Sequence, residues 1–356
     1  MLRAKILIAK LSLFKNYVHV VFSADVLINP YRLNLIILGK ITGIYMEAKK
    51  LAIGLAVLST LGFAVQDMVV KLLTEIGSLW QLMFLRAILV VLILITWALI
   101  KRRPGVIWPT DWKWPIIRAF LMSCAYSFFY ASLPFTALAQ AASCFFTAPI
   151  FTCFFAALIL REKVGIWRVS SIFVGFLGVL YIIQPGTSNM QAVLFLPVLA
   201  GASYALGVVI TRGFCTDHPT LSLTITHNAF YALVGALMVT FIPNLPIPVD
   251  VKVANSFVFS GWIKLTPIII IMIGITSLTH ILAMTSSIRA YQLAESSFVA
   301  PFEYTYLIFA ILIDFIVWQY IPSAQGIIGV TMIISAGVTI ALRERHRVLE
   351  AGRTKA

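Results

Sequence analysis

Ten apolar runs of roughly twenty residues, most of them separated by short polar connections, leave this chain few folds to choose from. They fall at about 51–71, 79–100, 115–134, 139–160, 166–184, 190–211, 221–242, 264–287, 293–315 and 323–342. Each is long enough to cross a ~30 Å hydrocarbon core as a helix. A helix also satisfies its backbone hydrogen bonds internally, which lipid demands. Composition agrees, at 61% hydrophobic and 11% charged with mean hydropathy +0.98. Soluble domains are nearer half apolar and a quarter charged. The expected fold class is an all-α polytopic membrane protein.

Residues 1–45 do not fit that pattern. Arg3, Lys5, Lys10, Lys15, Asp25, Arg32 and Lys40 interrupt every apolar stretch before it could span. Met46 followed by Glu47, Ala48, Lys49 and Lys50 leads straight into the first span, so Met46 is the expected natural start. The segment 1–45 is expected to be poorly ordered or untranslated. The net charge of +14 would suit a nucleic-acid binder, but the basic residues sort by loop instead. With the N-terminus cytoplasmic, the inner side carries Lys49, Lys50, Lys101, Arg102, Arg103, Lys113, Arg118, Arg161, Lys163, Arg168, Arg212, Arg289 and the basic tail. The outer side has only Lys71, Lys252 and Lys264. That asymmetry places both termini in the cytoplasm. It implies a multi-pass protein of a bacterial inner membrane and excludes nucleic acid as a partner. Trp108, Trp112 and Trp114 sit in a basic loop, where an interfacial aromatic belt belongs. The longest connection, with Pro243, Pro246 and Pro248, reads as linker-like.

Polar residues inside spans are the candidates for function. Glu303 lies about 15 Å into the ninth span at helical rise, near mid-membrane. A carboxylate there costs roughly 2.5–3.5 kcal/mol on insertion scales unless it faces a wet cavity, a partner or a proton. Two residues earlier, Pro301 removes the donor for the Ser297 carbonyl, so this helix is expected to break. The alternative is a structural kink beside a buried, protonated acid.

The fourth span repeats the pattern. Gln140-Ala141-Ala142-Ser143-Cys144-Phe145-Phe146-Thr147-Ala148-Pro149 aligns without gaps on Gln292-Leu293-Ala294-Glu295-Ser296-Ser297-Phe298-Val299-Ala300-Pro301, and Gly178-Val179 on Gly337-Val338. Five spans separate the matched helices, so two halves of five helices would face opposite ways across the membrane. Such inverted repeats enclose a mid-membrane site in alternating-access carriers. The expected architecture is ten transmembrane helices as two five-helix inverted repeats around a central cavity.

The paired Ala-Pro segments, Leu160-Arg161-Glu162-Lys163 after the fourth span and the closing Gly-Val resemble the EamA family of the drug/metabolite transporter superfamily over about 47–345. The resemblance implies repeats at 46–188 and 189–345, a basic cytoplasmic tail at 346–356, and a carrier of small organic metabolites. It also implies that Lys71 at the end of the first span and Arg86 in the second form a recurring pattern. Two departures stand out: Tyr320 where the first half has Glu162, and Phe151 where the second has Glu303.

Other candidates are Asp67 and Lys71, four apart on one helical face and readable as an ion pair or as site residues. Arg86, about 10 Å into its span, could pair with Asp67 or clamp a substrate carboxylate or phosphate. His280 could relay protons, with a hydrogen-bonded core histidine the plainer reading and His227 similar. Tyr304 and Tyr306 could supply ring and hydroxyl contacts or simply pack. Arg289 with Glu295 reads as an interfacial pair. Asp314 and Gln319, near a span end, are expected to reach water. The helix-break residues are Pro149 and Pro301. Glycines 175, 178, 201, 207, 326 and 329 suit close helix contact. The four cysteines show neither metal nor CxxC spacing, so no cofactor or metal is expected. HExxH, GxSxG and Walker A motifs are absent, which argues against an enzyme and against ATP-driven transport. A membrane-embedded enzyme and a channel stay as alternatives to the carrier. Substrate, direction, proton coupling and homodimer formation stay open.

Overall fold

A computed structural model describes residues 41–161, 166–183, 192–294, 296–321, 323–332, 334–336 and 339. The segment 1–40, Glu162, Lys163, Glu295, Gly337, Val338 and the tail at 346–356 lie outside the described residues. So do the side chains of Pro149, Pro301 and Val179.

The described chain is helical, with α1 (Ile41–Leu73), α2 (Leu79–Ile100), α3 (Lys113–Ser132), α4 (Leu138–Phe145), α5 (Ala148–Ile159), α6 (Ile166–Ile183), α7 (Phe195–Phe214) and α8 (Thr220–Phe241). Then come α9 (Pro267–Leu293), α10 (Ser296–Val299), a 3-10 turn (Ala300–Tyr304), α11 (Thr305–Trp318) and α12 (Ala324–Ala336). Among the described residues, seven helices are long and apolar enough to cross a membrane, counting Leu138–Ile159 continuously over its turn. The fifth and tenth expected spans are represented by the shorter apolar stretches Val169–Gly178 and Ala324–Ala336. The ninth is divided by the 3-10 turn.

Helix ends follow local chemistry. Thr266 caps α9 by accepting from the Ile269 N–H at 3.5 Å, and Pro267 occupies the first helical position, where its missing N–H costs nothing. α2 stops at Ile100, with Arg102 in the left-handed region at φ 52° and Pro104 following. α11 ends on Gln319 at φ 51°, which lets the Tyr320 N–H return to the Asp314 carbonyl at 3.1 Å.

α1 packs along α9, α3 along α7 and α2 along α8. The broken helices close the remaining sides, α4 and α5 against α7, and α11 against α1. Both breaks fall at the Ala-Pro segments, as the sequence leads one to expect. Pro149 stands in the first turn of α5 and Pro301 at the start of the 3-10 turn, positions where no donor is needed. Hydroxyls add bonds beside each break: Thr147 Oγ1 donates to the Cys144 carbonyl at 2.9 Å, and Thr305 Oγ1 to the Phe302 carbonyl at 2.7 Å. Gly201 is why α7 can lie against the first break. A Cβ there would stand 2.5 Å from the Phe145 carbonyl oxygen and 3.2 Å from the Ala148 nitrogen.

Two expectations are corrected. The connection with Pro243, Pro246 and Pro248 is not a loose linker. Its far end is fastened to the start of α2 by Ser78 to the Ser260 carbonyl (2.9 Å), Trp80 Nε1 to the Val258 carbonyl (2.7 Å) and a two-way pair between Gln81 and Ile263 (3.1 and 3.0 Å). Arg118, counted among the loop cations, is buried in the bundle. Its Nε donates to Thr211 Oγ1 at 2.7 Å and its Nη1 reaches the Leu223 carbonyl at 3.5 Å.

Candidate functional site

The cavity at the centre of the bundle takes its walls from both halves of the chain. α1 supplies Thr60, Phe63 and Asp67; α3 supplies Ala125, Tyr126 and Phe129. Phe145 and Phe146 come from the first break, Tyr204 from α7, Glu303 from the second break and Tyr306 from α11. About 60 Å³ is open to the centres of water-sized spheres, room for a few waters. Apart from Thr60 and Ala125, the walls are aromatic rings and two carboxylates.

At one pole Glu303, 7% exposed, sits in the 3-10 turn rather than on a continuous helix. Its Oε1 accepts from the Tyr204 hydroxyl at 2.5 Å, and that hydroxyl lies 3.3 Å from Ser287 Oγ. At the other pole Asp67, 5% exposed, accepts from Tyr130 at 3.0 Å on Oδ1 and from Tyr306 at 2.7 Å on Oδ2. Gln66 Nε2 also approaches Asp67 Oδ1 at 3.4 Å and donates to the Tyr130 hydroxyl. Phenols therefore engage both oxygens of Asp67 and Oε1 of Glu303, which supports a buried carboxyl in either protonation state.

Behind the Asp67 pole lies a second polar cluster. Arg86 is fully buried, and its Nη1 donates to the Tyr130 hydroxyl at 3.2 Å. The rings of Tyr126, Tyr130 and Tyr231 surround its guanidinium carbon at 5.4, 5.6 and 4.9 Å. His280 Nδ1 meets Gln66 Oε1 at 3.0 Å, and its ring stacks on His227 with centroids 5.8 Å apart.

Several sequence readings are corrected here. Asp67 and Lys71 do not pair, because each finds a partner on another helix. Lys71 Nζ lies 3.9 Å from Asp314 Oδ1, donates to the Thr136 carbonyl at 3.1 Å and sits 4.9 Å from the Trp318 ring centroid. Asp67 and Arg86 are joined only through the Tyr130 hydroxyl. Asp314 does not reach water. It is fully buried and accepts from the Ala139 N–H at 2.7 Å, in the first turn of α4, where the helix dipole favours a negative charge. Gln319 is exposed, as expected. Tyr304 does not line the cavity; it packs on Phe146 with centroids 5.2 Å apart. His280 also stands off the cavity, as a hydrogen-bonded core histidine. Arg289 is described, but its partner Glu295 is outside the described residues.

Tyr126, Tyr130, Tyr204 and Gln66 are the site residues that sequence reasoning missed. Gln66 had one available signal, a second polar side chain beside Asp67 within a span. Among the described residues no group of three His, Cys, Asp or Glu could hold a metal.

Residues 50–184 match the EamA-like transporter family. Over that stretch the chain is similar to members of the family. An EamA-like chain of this kind is a multi-pass integral membrane protein, in keeping with its apolar helices. It is 27% identical over 225 residues to a riboflavin transporter of Vibrio cholerae, covering 62% of this chain and 68% of that one. It is 22% identical over 200 residues to an S-adenosylmethionine uptake transporter of Rickettsia prowazekii, covering 56% and 62%. A transporter of Helicobacter pylori without an assigned function is 24% identical over 298 residues, covering 82% and 94%. One protein of known crystal structure shares the fold of this EamA-like chain, with a TM-score of 0.60 at 13% identity over 85% of this chain and 98% of the other.

Proposed function

We propose that the chain is a secondary carrier that moves a small organic metabolite by alternating access. Ten spans form two oppositely oriented five-helix repeats, 46–188 and 189–345, in a bacterial inner membrane with both termini cytoplasmic. The observation that carries this reading is the position of the cavity. It lies where the two broken helices meet, with one acid on the second break and another on α1. The helix pairings lend further support. Exchanging the halves turns the α1–α9 contact into the α7–α3 contact and returns α2–α8 to itself.

The substrate class follows from the walls and the relatives. Phe63, Phe129, Phe145 and Phe146 suit a planar apolar body, and Asp67 and Glu303 suit a cationic or proton-donating group. Relatives are named for riboflavin and S-adenosylmethionine, compounds that each contain a planar heteroaromatic ring system. Glu303 is the coupling residue, trading a proton for substrate.

The test is counterflow in proteoliposomes with labelled S-adenosylmethionine, riboflavin and a panel of amino acids. A carrier accumulates label when unlabelled substrate is preloaded on the other side, and returns it chemically unchanged. Flux with no trans-stimulation would replace this reading with a channel, and an altered product would replace it with an enzyme.

A further inference from the structure

The guanidinium of Arg86 is bonded on one corner and open along one edge. Nη1 donates to Tyr130, whereas Nε and Nη2 meet no acceptor although both are buried. Those two nitrogens hold the parallel N–H bonds with which arginine grips both oxygens of a carboxylate or phosphate. Leaving buried donors unmet is costly. The tyrosine faces around the charge attract it.

Asp67 is not the missing partner. Its oxygens are taken by Tyr130, Tyr306 and Gln66, and none bonds Arg86. Other groups with weak or no partners gather at the same place: the Tyr231 hydroxyl, the ring nitrogens of His227 and His280 Nε2. Gln66 gives its amide N–H groups to Asp67 and Tyr130, so its Oε1 accepts from His280 Nδ1–H. His280 Nε2 is thereby an open acceptor. Buried polar groups are nearly always satisfied, so so many together mark a place where something polar binds.

Tyr126 divides this cluster from the cavity. Its ring lines the cavity and packs on Arg86, and it lies 5.6 Å from both His227 and His280. We propose that the Nε/Nη2 edge of Arg86 is an oxyanion subsite of the transport pathway, reached when the Tyr126 ring turns aside. The substrate then carries a carboxylate or phosphate on a planar apolar body, with the body left among the cavity phenylalanines. This rests on the carrier reading and narrows it.

The test is thermal unfolding of the purified protein with saturating benzoate or with benzamide, which keeps the ring and lacks the charge. Benzoate is expected to raise Tm by ~2–4 °C and benzamide not to. Arg86→Gln should abolish the difference, and Arg86→Lys, which keeps the charge but not the two-pronged edge, should retain only part of it. Equal shifts, no shift from either, or a benzoate shift persisting in Arg86→Gln each overturns the proposal. Should the variants not fold, phenylglyoxal labelling of the wild type decides, with modification at Arg86 read by peptide mass. Protection by benzoate but not benzamide supports the subsite, and lack of protection overturns it. Counterflow of an uncharged substrate is indifferent to these results, so the subsite can fail while the carrier stands.

Discussion

Asp314 gives the sharpest quantitative prediction. Asp314→Asn keeps the shape of the side chain and one accepting oxygen but removes its charge. In the wild type that charge lies 3.9 Å from Lys71 Nζ, and the Asp314 side chain is 1% exposed against 17% for Lys71. At that separation and an effective dielectric of about 20, the gross attraction is about 4 kcal/mol. Desolvation of the pair takes back most of it, leaving ~1–2 kcal/mol, since Lys71 can lean toward solvent. The bond from the Ala139 N–H weakens as well. A charged acceptor is worth roughly 1.5–3 kcal/mol and a neutral one roughly 0.5–1.5, a difference of ~1 kcal/mol. The sum is ~2–3 kcal/mol of lost stability.

The assay is thermal unfolding of the reconstituted protein, where such a loss should lower Tm by ~3–4 °C. Lys71→Met completes a double-mutant cycle, whose coupling should be ~1–2 kcal/mol. Gln319→Ala, at an exposed position near the same end of α11, is the control and should change nothing. If Asp314→Asn unfolds within ~1 °C of the wild type, or the two substitutions add without coupling, the buried pair contributes nothing and the reasoning fails.

Glu303→Gln should leave the fold intact and abolish transport or free it from pH. Wild-type rates with wild-type pH dependence at equal expression would remove Glu303 from the coupling role. Gly201→Ala should cost ~1–3 kcal/mol despite the better helix propensity of alanine, because the added Cβ meets backbone at the first break. Gly274→Ala, with nothing within 4 Å of the added carbon, should instead gain up to ~1 kcal/mol. Denaturation midpoints of the two variants must therefore move in opposite directions.

The two breaks and the acid at one of them were legible because their causes are local. A proline removes one donor from its own helix, and a carboxylate in an apolar run is costly wherever that run ends up. The partners of the acids were not legible, because they come from other helices. Asp67 and Lys71 share a face by spacing, yet the hydroxyls that hold Asp67 come from Tyr130 on α3 and Tyr306 on α11. Lys71 is drawn instead to Asp314, and that attraction exists only because the start of α4 and the ends of α1 and α11 converge. Position along a span misled for a related reason. Asp314 and Arg118 both lie toward span ends, where side chains usually escape to water, but packing against neighbouring helices buries both. Spacing along one helix therefore reports the cost of a polar group and is silent about what meets that cost. In this bundle the answer is mostly phenol: Tyr130, Tyr204 and Tyr306 each hold a carboxylate, and Tyr130 also takes the Arg86 N–H. A phenol can donate to a charged acid and still fit among apolar rings, so a tyrosine-rich core lets two acids sit beside a cavity with no lysine or arginine bonded to either. That arrangement leaves the open edge of Arg86 available to something other than the protein.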